Sequence, residues 1–129
     1  MAEDFDVEQF VYIKIPDAIQ PSDRSDIFEG PIDMALGSGA LGYVSGGGTL
    51  LGRAGSNGTR LIEFCGIDIN TTDREAALKV LRNLLPTLGA PLGTELHYTV
   101  GGVRLQDCYV GVEWRTGDAR SFLHPAFDI

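Results

Sequence analysis

Apolar residues recur along this chain with two different periods, and each period predicts its own kind of element. The clearest stretch runs from Leu61 to Leu88. Its first part, Leu61 to Asn70, is rich in branched and aromatic side chains, which suit a pleated strand. Ile62 and Phe64 fall on one face of a regular strand and Ile67 and Ile69 on the other. Gly66 sits where the phase changes, so a bulge there would bring all four to one side and turn Glu63 and Asp68 away from the core. The period then lengthens. Ala77, Leu78, Leu81, Leu84, Leu85 and Leu88 recur at spacings of three and four, the stripe of an amphipathic helix. Thr72 with Glu75 three residues later reads as a capping box, and Asp73 places negative charge at the positive end of the helix dipole. Pro86 removes a helical hydrogen bond, which predicts a kink or an end near Leu85. Gly89 and Pro91 confirm the stop.

Other runs are shorter. Phe10 to Ile15 reads as a first strand, ended by Pro16. Asp17 to Gly30 has the composition of a loop with one helical turn, and Pro31 to Leu36 opens a short helix. Leu41 to Ser45 reads as a second strand broken by Gly46-Gly47-Gly48. With Asn57-Gly58 as a turn, it forms a hairpin from about Leu41 to Asn70 with a glycine-rich tip. Glu95 to Val100 and Val103 to Asp107 flank Gly101-Gly102, the signal of a two-residue hairpin turn. Cys108 to Trp114 reads as the last strand, with a bend near Gln106 and Asp107. The predicted fold is α+β: an antiparallel sheet with two helices on one face, a ferredoxin-like βαββαβ core extended by a C-terminal hairpin. The second sheet face is left open, or covered by the tail or a partner. Residues 1 to 129 form a single domain, with 1 to 6 expected to be disordered and 116 to 129 a C-terminal tail.

Charge changes this picture more than composition does. The formal net charge is −8. Residues 1 to 33 hold nine acids against Lys14 and Arg24, a net of −7, so the other 96 residues carry a net of −1. Such a surface repels nucleic-acid phosphates and attracts a basic partner; the plainer reading is ordinary solubility. No apolar run approaches the length of a membrane span, and Met1-Ala2-Glu3-Asp4 does not begin a signal peptide. A cytoplasmic location is the default, and neither nucleic acid nor membrane is an expected partner.

The candidate chemistry is sparse. Cys65 and Cys108, the only cysteines, read as reduced thiols in strands. Gly37-Ser38-Gly39-Ala40-Leu41-Gly42 matches a dinucleotide pattern by letter, but no strand precedes it and no long helix follows. Gly46-Gly47-Gly48-Thr49 lacks the Lys of a phosphate-binding loop, and a flexible hairpin tip is the simpler reading. No cofactor and no metal is expected. Cys65 and His97 would form a thiol–imidazole dyad if their strands were adjacent, and Glu63, Asp68, Glu95 and Glu113 could converge on one sheet face. Alternation alone makes those acids the polar side of half-exposed strands.

Three pieces carry a resemblance: Gly46 to Thr49 (GGGT), Ile62 to Ile69 (IEFCGIDI) and Leu88 to Leu96 (LGAPLGTEL), preceded by Phe28 to Asp33 (FEGPID). Together they resemble a group of small acidic, largely uncharacterised bacterial proteins, some of which look like immunity proteins encoded beside polymorphic toxins. The resemblance covers about residues 28 to 98 and carries turns, a strand and a helix end rather than catalytic groups. It implies a non-enzymatic, acidic protein-binding module that masks the basic site of a toxin. Asp17, Asp23, Asp26, Glu29 and Asp33, with Glu63 and Asp68 on the sheet, are the expected binding residues. Two other roles fit the same chain. One is a small-molecule or catalytic pocket on the open sheet face around Glu63, Cys65, Asp68 and His97. The other is a structural homo-oligomer.

Overall fold

Val11, Ile13 and Ile15 alternate along β1 (Phe10–Ile15) and are fully buried, which makes this first strand the middle of the molecule. The computed structural model describes residues 6–16, 23–54 and 60–119, with only the backbone of 49–54 and 60–63. β1 pairs antiparallel with β3 (Arg60–Thr71) on one side and β4 (Glu95–Val100) on the other. β2 (Gly42–Ala54) lies outside β3, while β5 (Val103–Tyr109) and β6 (Trp114–Ala119) extend the sheet beyond β4. The order is β2-β3-β1-β4-β5-β6, with every neighbouring pair antiparallel. Helix α1 (Gly30–Ser38) follows β1, and α2 (Arg74–Thr87) follows β3. The fold is therefore α+β, as the pattern predicts. Ile32 and Leu36 of α1 and Ala77, Leu78, Leu81 and Leu85 of α2 share one core with Val11, Ile13 and Ile15. Each of these buried valine, isoleucine and leucine side chains contributes about 1.5–3 kcal/mol.

β3 departs from the expected bulge. Its register with β1 is unbroken from Phe10↔Asn70 to Ile15↔Cys65, so Gly66 does not shift the phase. Cys65, Ile67 and Ile69 join the helical core, whereas Phe64 lies on the second face, where the Lys14 ammonium sits 4.8 Å from its ring centre. The glycine is there because the Tyr12 ring crosses it: a Cβ on Gly66 would lie 2.0 Å from the phenol oxygen. Gly46-Gly47-Gly48 is likewise no hairpin tip. These residues pair with Asp68, Ile67 and Gly66 inside β2. A Cβ on Gly47 would come within 2.9 Å of the Gly66 carbonyl and 2.7 Å of the Glu29 carboxylate. The Asn57-Gly58 turn lies outside the described residues.

Asp73, not Thr72, caps α2: its carboxylate accepts from Ala76 N–H at 3.1 Å. Thr72 instead donates its hydroxyl to the Ala40 carbonyl at 2.7 Å, fastening the helix start to the end of α1. Pro86 stays inside the last turn of α2, which runs to Thr87. A proline at 86 cannot donate to the carbonyl four residues back. That carbonyl, on Arg82, accepts from Trp114 Nε1–H at 2.9 Å, so an indole from β6 replaces the missing helical bond.

The segment expected as a loop with one helical turn has its helical part at Arg24 to Glu29, wound as π-helix and leading into α1, while residues 17–22 lie outside the described residues. The expected last strand, Cys108 to Trp114, is interrupted: Cys108 and Tyr109 end β5, and residues 110–113 form a turn in which Val110 N–H donates to the Glu113 carbonyl at 3.0 Å and Gly111 takes a left-handed conformation. The final strand begins only at Trp114. The expected irregularity near Gln106 and Asp107 is present as a register shift between Gln106 and Cys108 against β6. Residues 120–129, the body of the expected tail, lie outside the described residues.

Gly101 and Gly102 form the β4–β5 turn with φ of 57° and 81°, and Glu8 clamps it. Asp6, inside the expected disordered terminus, caps the 3-10 turn Val7–Gln9 that carries Glu8. The Glu8 carboxylate accepts from both glycine N–H groups at 2.8 Å. These backbone bonds, Gly102 first and then Gly101, hold Glu8 below its ordinary pKa of 4.5. A depressed native pKa means that the unfolded chain binds the proton more tightly. The clamp's stabilisation is therefore complete above about pH 4.5 and is lost as pH falls through the native value. Glu8→Gln should be less stable than wild type near neutrality, and the gap should close on acidification, as read by urea midpoints across that range. A gap independent of pH would mean that the carboxylate charge is not what holds the turn.

Candidate functional site

Of the six first-quarter acids among the described residues, four (Asp23, Asp26, Glu29 and Asp33) fall on the helical stretch from 23 to 38. Between Asp23 and Ser38 the only base is Arg24, and it is turned inward: its Nε donates to Glu29 Oε2 at 2.7 Å above Gly47. Pro31 sits in the first turn of α1, where the missing N–H costs least. The outward side carries Asp23, Asp26 and Asp33 together with two large apolar side chains, Ile27 at 45 % and Met34 at 77 % exposure. Asp33 has a second task, since its carboxylate accepts from Val44 N–H at 2.9 Å on the outer edge of β2. π-helical turns are uncommon and often accompany functional surfaces.

The sheet divides the expected binding residues. Asp23, Asp26 and Asp33 share the helical surface, and Glu29 lies beneath it in the ion pair with Arg24. Asp68 is half-buried on the opposite face of the sheet, opposite Tyr12 of β1. Asp17 and the side chain of Glu63 lie outside the described residues. A single surface joining the helical acids to Asp68 is thus not formed.

Nor does the sheet assemble the alternative pocket. Cys65 lies in the helical core, fully buried. His97 pairs with Tyr12 and packs its ring 5.7 Å from the tyrosine ring on the second face. Strand alternation therefore sets the thiol and the imidazole on opposite sides, and no dyad forms. The second face is also closed at its centre, where Phe10, Tyr12, His97 and Thr99 are buried. His97 Nε2 meets Glu95 Oε1 at 2.9 Å. That hydrogen bond is the main reason the Glu95 pKa is lowered, against the opposing effect of burial. Burial, reinforced by the Asp68 charge, pushes Tyr12 up to about 12.

Cys108, on the same face beside Glu95, has its thiol pKa raised, first by burial and then by that carboxylate, which makes it a poor nucleophile at neutral pH. β1 and β4 separate the strands of Cys65 and Cys108. Three strand spacings of about 4.8 Å exceed the reach of a disulfide, and neither cysteine is in one. Among the described residues, no group of three or more His, Cys, Asp and Glu side chains is placed to hold a metal ion. Gly37 and Ser38 of the dinucleotide-like run close α1 and Gly42 opens β2, the reverse of the order that motif requires.

One buried polar cluster is not predicted by the sequence reading. Asp107 is fully buried and accepts from Arg82 Nε and Nη2 at 2.8 and 2.6 Å, from the Tyr98 hydroxyl at 2.6 Å and from Gly117 N–H at 3.0 Å. Burial first, and then the hydrogen bond to Asp107, push the Tyr98 phenol well above its ordinary value. The cluster joins α2, β4, β5 and β6. Its one sequence signal is that Asp107 shares the alternation phase of Leu105 and Tyr109.

No helix among the described residues is long and apolar enough to cross a membrane. Compared with protein-family models, with curated proteins and with solved structures, the chain matches none.

Proposed function

We propose that this chain is a non-enzymatic protein-binding module whose helical surface from Asp23 to Met34 receives a basic partner. Its specific form is the toxin-masking, immunity-type role implied by the sequence resemblance. One observation carries the reading: three carboxylates and two exposed apolar side chains share a helical surface, and Arg24, the one base between Asp23 and Ser38, is withdrawn into an ion pair. Carboxylates at a rim speed encounter with a cationic surface, and apolar side chains among them supply the contacts that hold it. The filled centre of the second sheet face counts against the small-molecule pocket. The order β2-β3-β1-β4, with a helix after β1 and another after β3, supports reading the first four strands as a ferredoxin-like βαββαβ unit extended by β5 and β6.

The test compares proteins retained from the host's own extract by wild type and by Asp23→Lys/Asp26→Lys, a pair of exposed substitutions that spares Asp33 and Glu29. A basic protein should be held stoichiometrically by wild type, released by salt, and lost from the variant. Its association rate with the variant should fall at least about tenfold at low ionic strength. An identical set of retained proteins, or an unchanged rate, would refute this surface.

A further inference from the structure

The stretch before α1 is wound wider than an α-helix. From Arg24 to Glu29 it is π-helix, closed by a bond from Gly30 N–H to the Ser25 carbonyl five residues back. Such a turn holds about one residue more than an α-turn, and the extra residue sets the facing of everything before it. As wound, Arg24 is turned inward on the side of the buried Phe28 and Ile32, while Ser25, Asp26 and Ile27 are exposed. Wound as a plain α-helix, the residues before the turn would rotate by one position, about 100°. Ser25 stands seven residues before Ile32, so it would then take the inward place. Arg24 would swing to the flank beside Ile27.

The wider winding has its own support. Arg24 and Glu29, five residues apart, meet at 2.7 Å with side chains only 12 % and 21 % exposed. Beneath them is Gly47, where a Cβ would stand 2.7 Å from the Glu29 carboxylate and 3.3 Å from Arg24 Nε. Stability alone does not call for this arrangement. Apolar side chains of similar volume would serve it at least as well as a half-buried ion pair, and a glycine in mid-strand weakens β2. What the winding does achieve is a surface from Asp23 to Met34 that presents carboxylates and apolar groups with its base put away.

We propose that this π-turn is a switch on the helical surface: wound as observed it stows Arg24 and leaves the acids open to a basic partner, and rewound as α-helix it brings Arg24 out beside Ile27 and repels that partner. The proposal rests on the surface being a docking site, as proposed above, and adds its regulation. Arg24, Glu29 and Gly47 are then positioning residues, since they act through the facing of Asp26 and Ile27. A partner that binds only the stowed winding also stabilises it.

Two labels follow the winding with no partner present. Phenylglyoxal reacts with exposed guanidinium groups and a maleimide with the thiol of Ser25→Cys, and peptide mass spectrometry reads each site. Glu29→Ala removes the pair, so Arg24 should react at least about tenfold faster and the Ser25→Cys thiol at least about tenfold slower. Gly47→Ala, which changes no charge, should have both effects through its clash with Glu29. Its affinity for a synthetic lysine–leucine peptide at low salt should fall at least about fivefold, and adding Arg24→Ala should restore it. Opposite movement at two neighbouring sites is the mark of rewinding. Both sites speeding up would mean that the segment only frays, and neither moving would mean that the pair does not set the winding; each overturns the switch. So does a Gly47→Ala variant that exposes Arg24 yet binds the peptide as wild type does. A wild type that ignores the peptide refutes the docking surface itself, and the labels tell that failure from a failure of the switch.

Discussion

Gly66→Ala should destabilise the fold by about 3 kcal/mol, the upper part of the usual range for forcing extra volume into a packed site. In an ordinary strand position this change is mildly favourable, because alanine loses less backbone entropy than glycine. Here the sign reverses. The added Cβ would lie 2.0 Å from the Tyr12 hydroxyl oxygen, 2.3 Å from Cζ and 2.4 Å from Cε1. The ring has little room to retreat, being 6 % exposed and packed against His97 on the next strand. Either β1 and β3 separate locally, or Tyr12 leaves its rotamer. Tyr12→Ala alone should cost about 3–5 kcal/mol through the cavity it leaves. In that background, Gly66→Ala should cost less than about 1 kcal/mol, because its obstacle is gone. Urea denaturation of the four proteins measures the coupling. An equal cost of Gly66→Ala with and without the tyrosine would show that the clash does not govern this position.

Gly66 also shows where sequence reading reaches its limit. Composition and period identify the strand from Leu61 to Asn70, the helix with its leucine stripe, β1 and the Gly101-Gly102 hairpin, because each signal is local. The reason for Gly66 is not local: it lies in Tyr12, more than fifty residues earlier, and within the strand a glycine at a phase change reads as a bulge. Pro86 misleads in the same way, because the group that satisfies the Arg82 carbonyl is Trp114. The triglycine reads as a tip because glycine is common in turns, while its place in β2 depends on the Arg24–Glu29 pair packed over Gly47. The acidic quarter of the chain is legible as charge. Which acids share a surface is not: strand alternation puts Asp68 on the far side of the sheet from Asp23 and Asp26, and only a register can show that. Cys65 and His97 separate for the same reason.

Asp107→Ala should cost about 3–5 kcal/mol, the penalty for removing one partner from a buried ion pair. For a chain of this length, that lowers Tm by about 10–20 °C. The carboxylate is fully buried and satisfies four donors from three elements. Its loss leaves the Arg82 guanidinium, whose side chain is 27 % exposed, beside a cavity, and leaves the Tyr98 hydroxyl without its acceptor. Asp107→Asn keeps the shape and part of the hydrogen bonding, so it should fall between wild type and alanine. The informative comparison is Arg82→Leu/Asp107→Leu. If the cluster is a source of net stability, the double variant should stay at least about 2 kcal/mol below wild type. If the cost of the single changes lies in leaving a charge behind, the double variant should come within about 1 kcal/mol of wild type. Desolvation of a fully buried carboxylate favours the second outcome. Trp114, the sole tryptophan, reports on the same place through its bond to the Arg82 carbonyl, so its emission should shift in Asp107→Ala before global unfolding. An alanine variant within about 1 kcal/mol of wild type, with unchanged emission, would show that α2 and the β5–β6 hairpin are held by the apolar core alone.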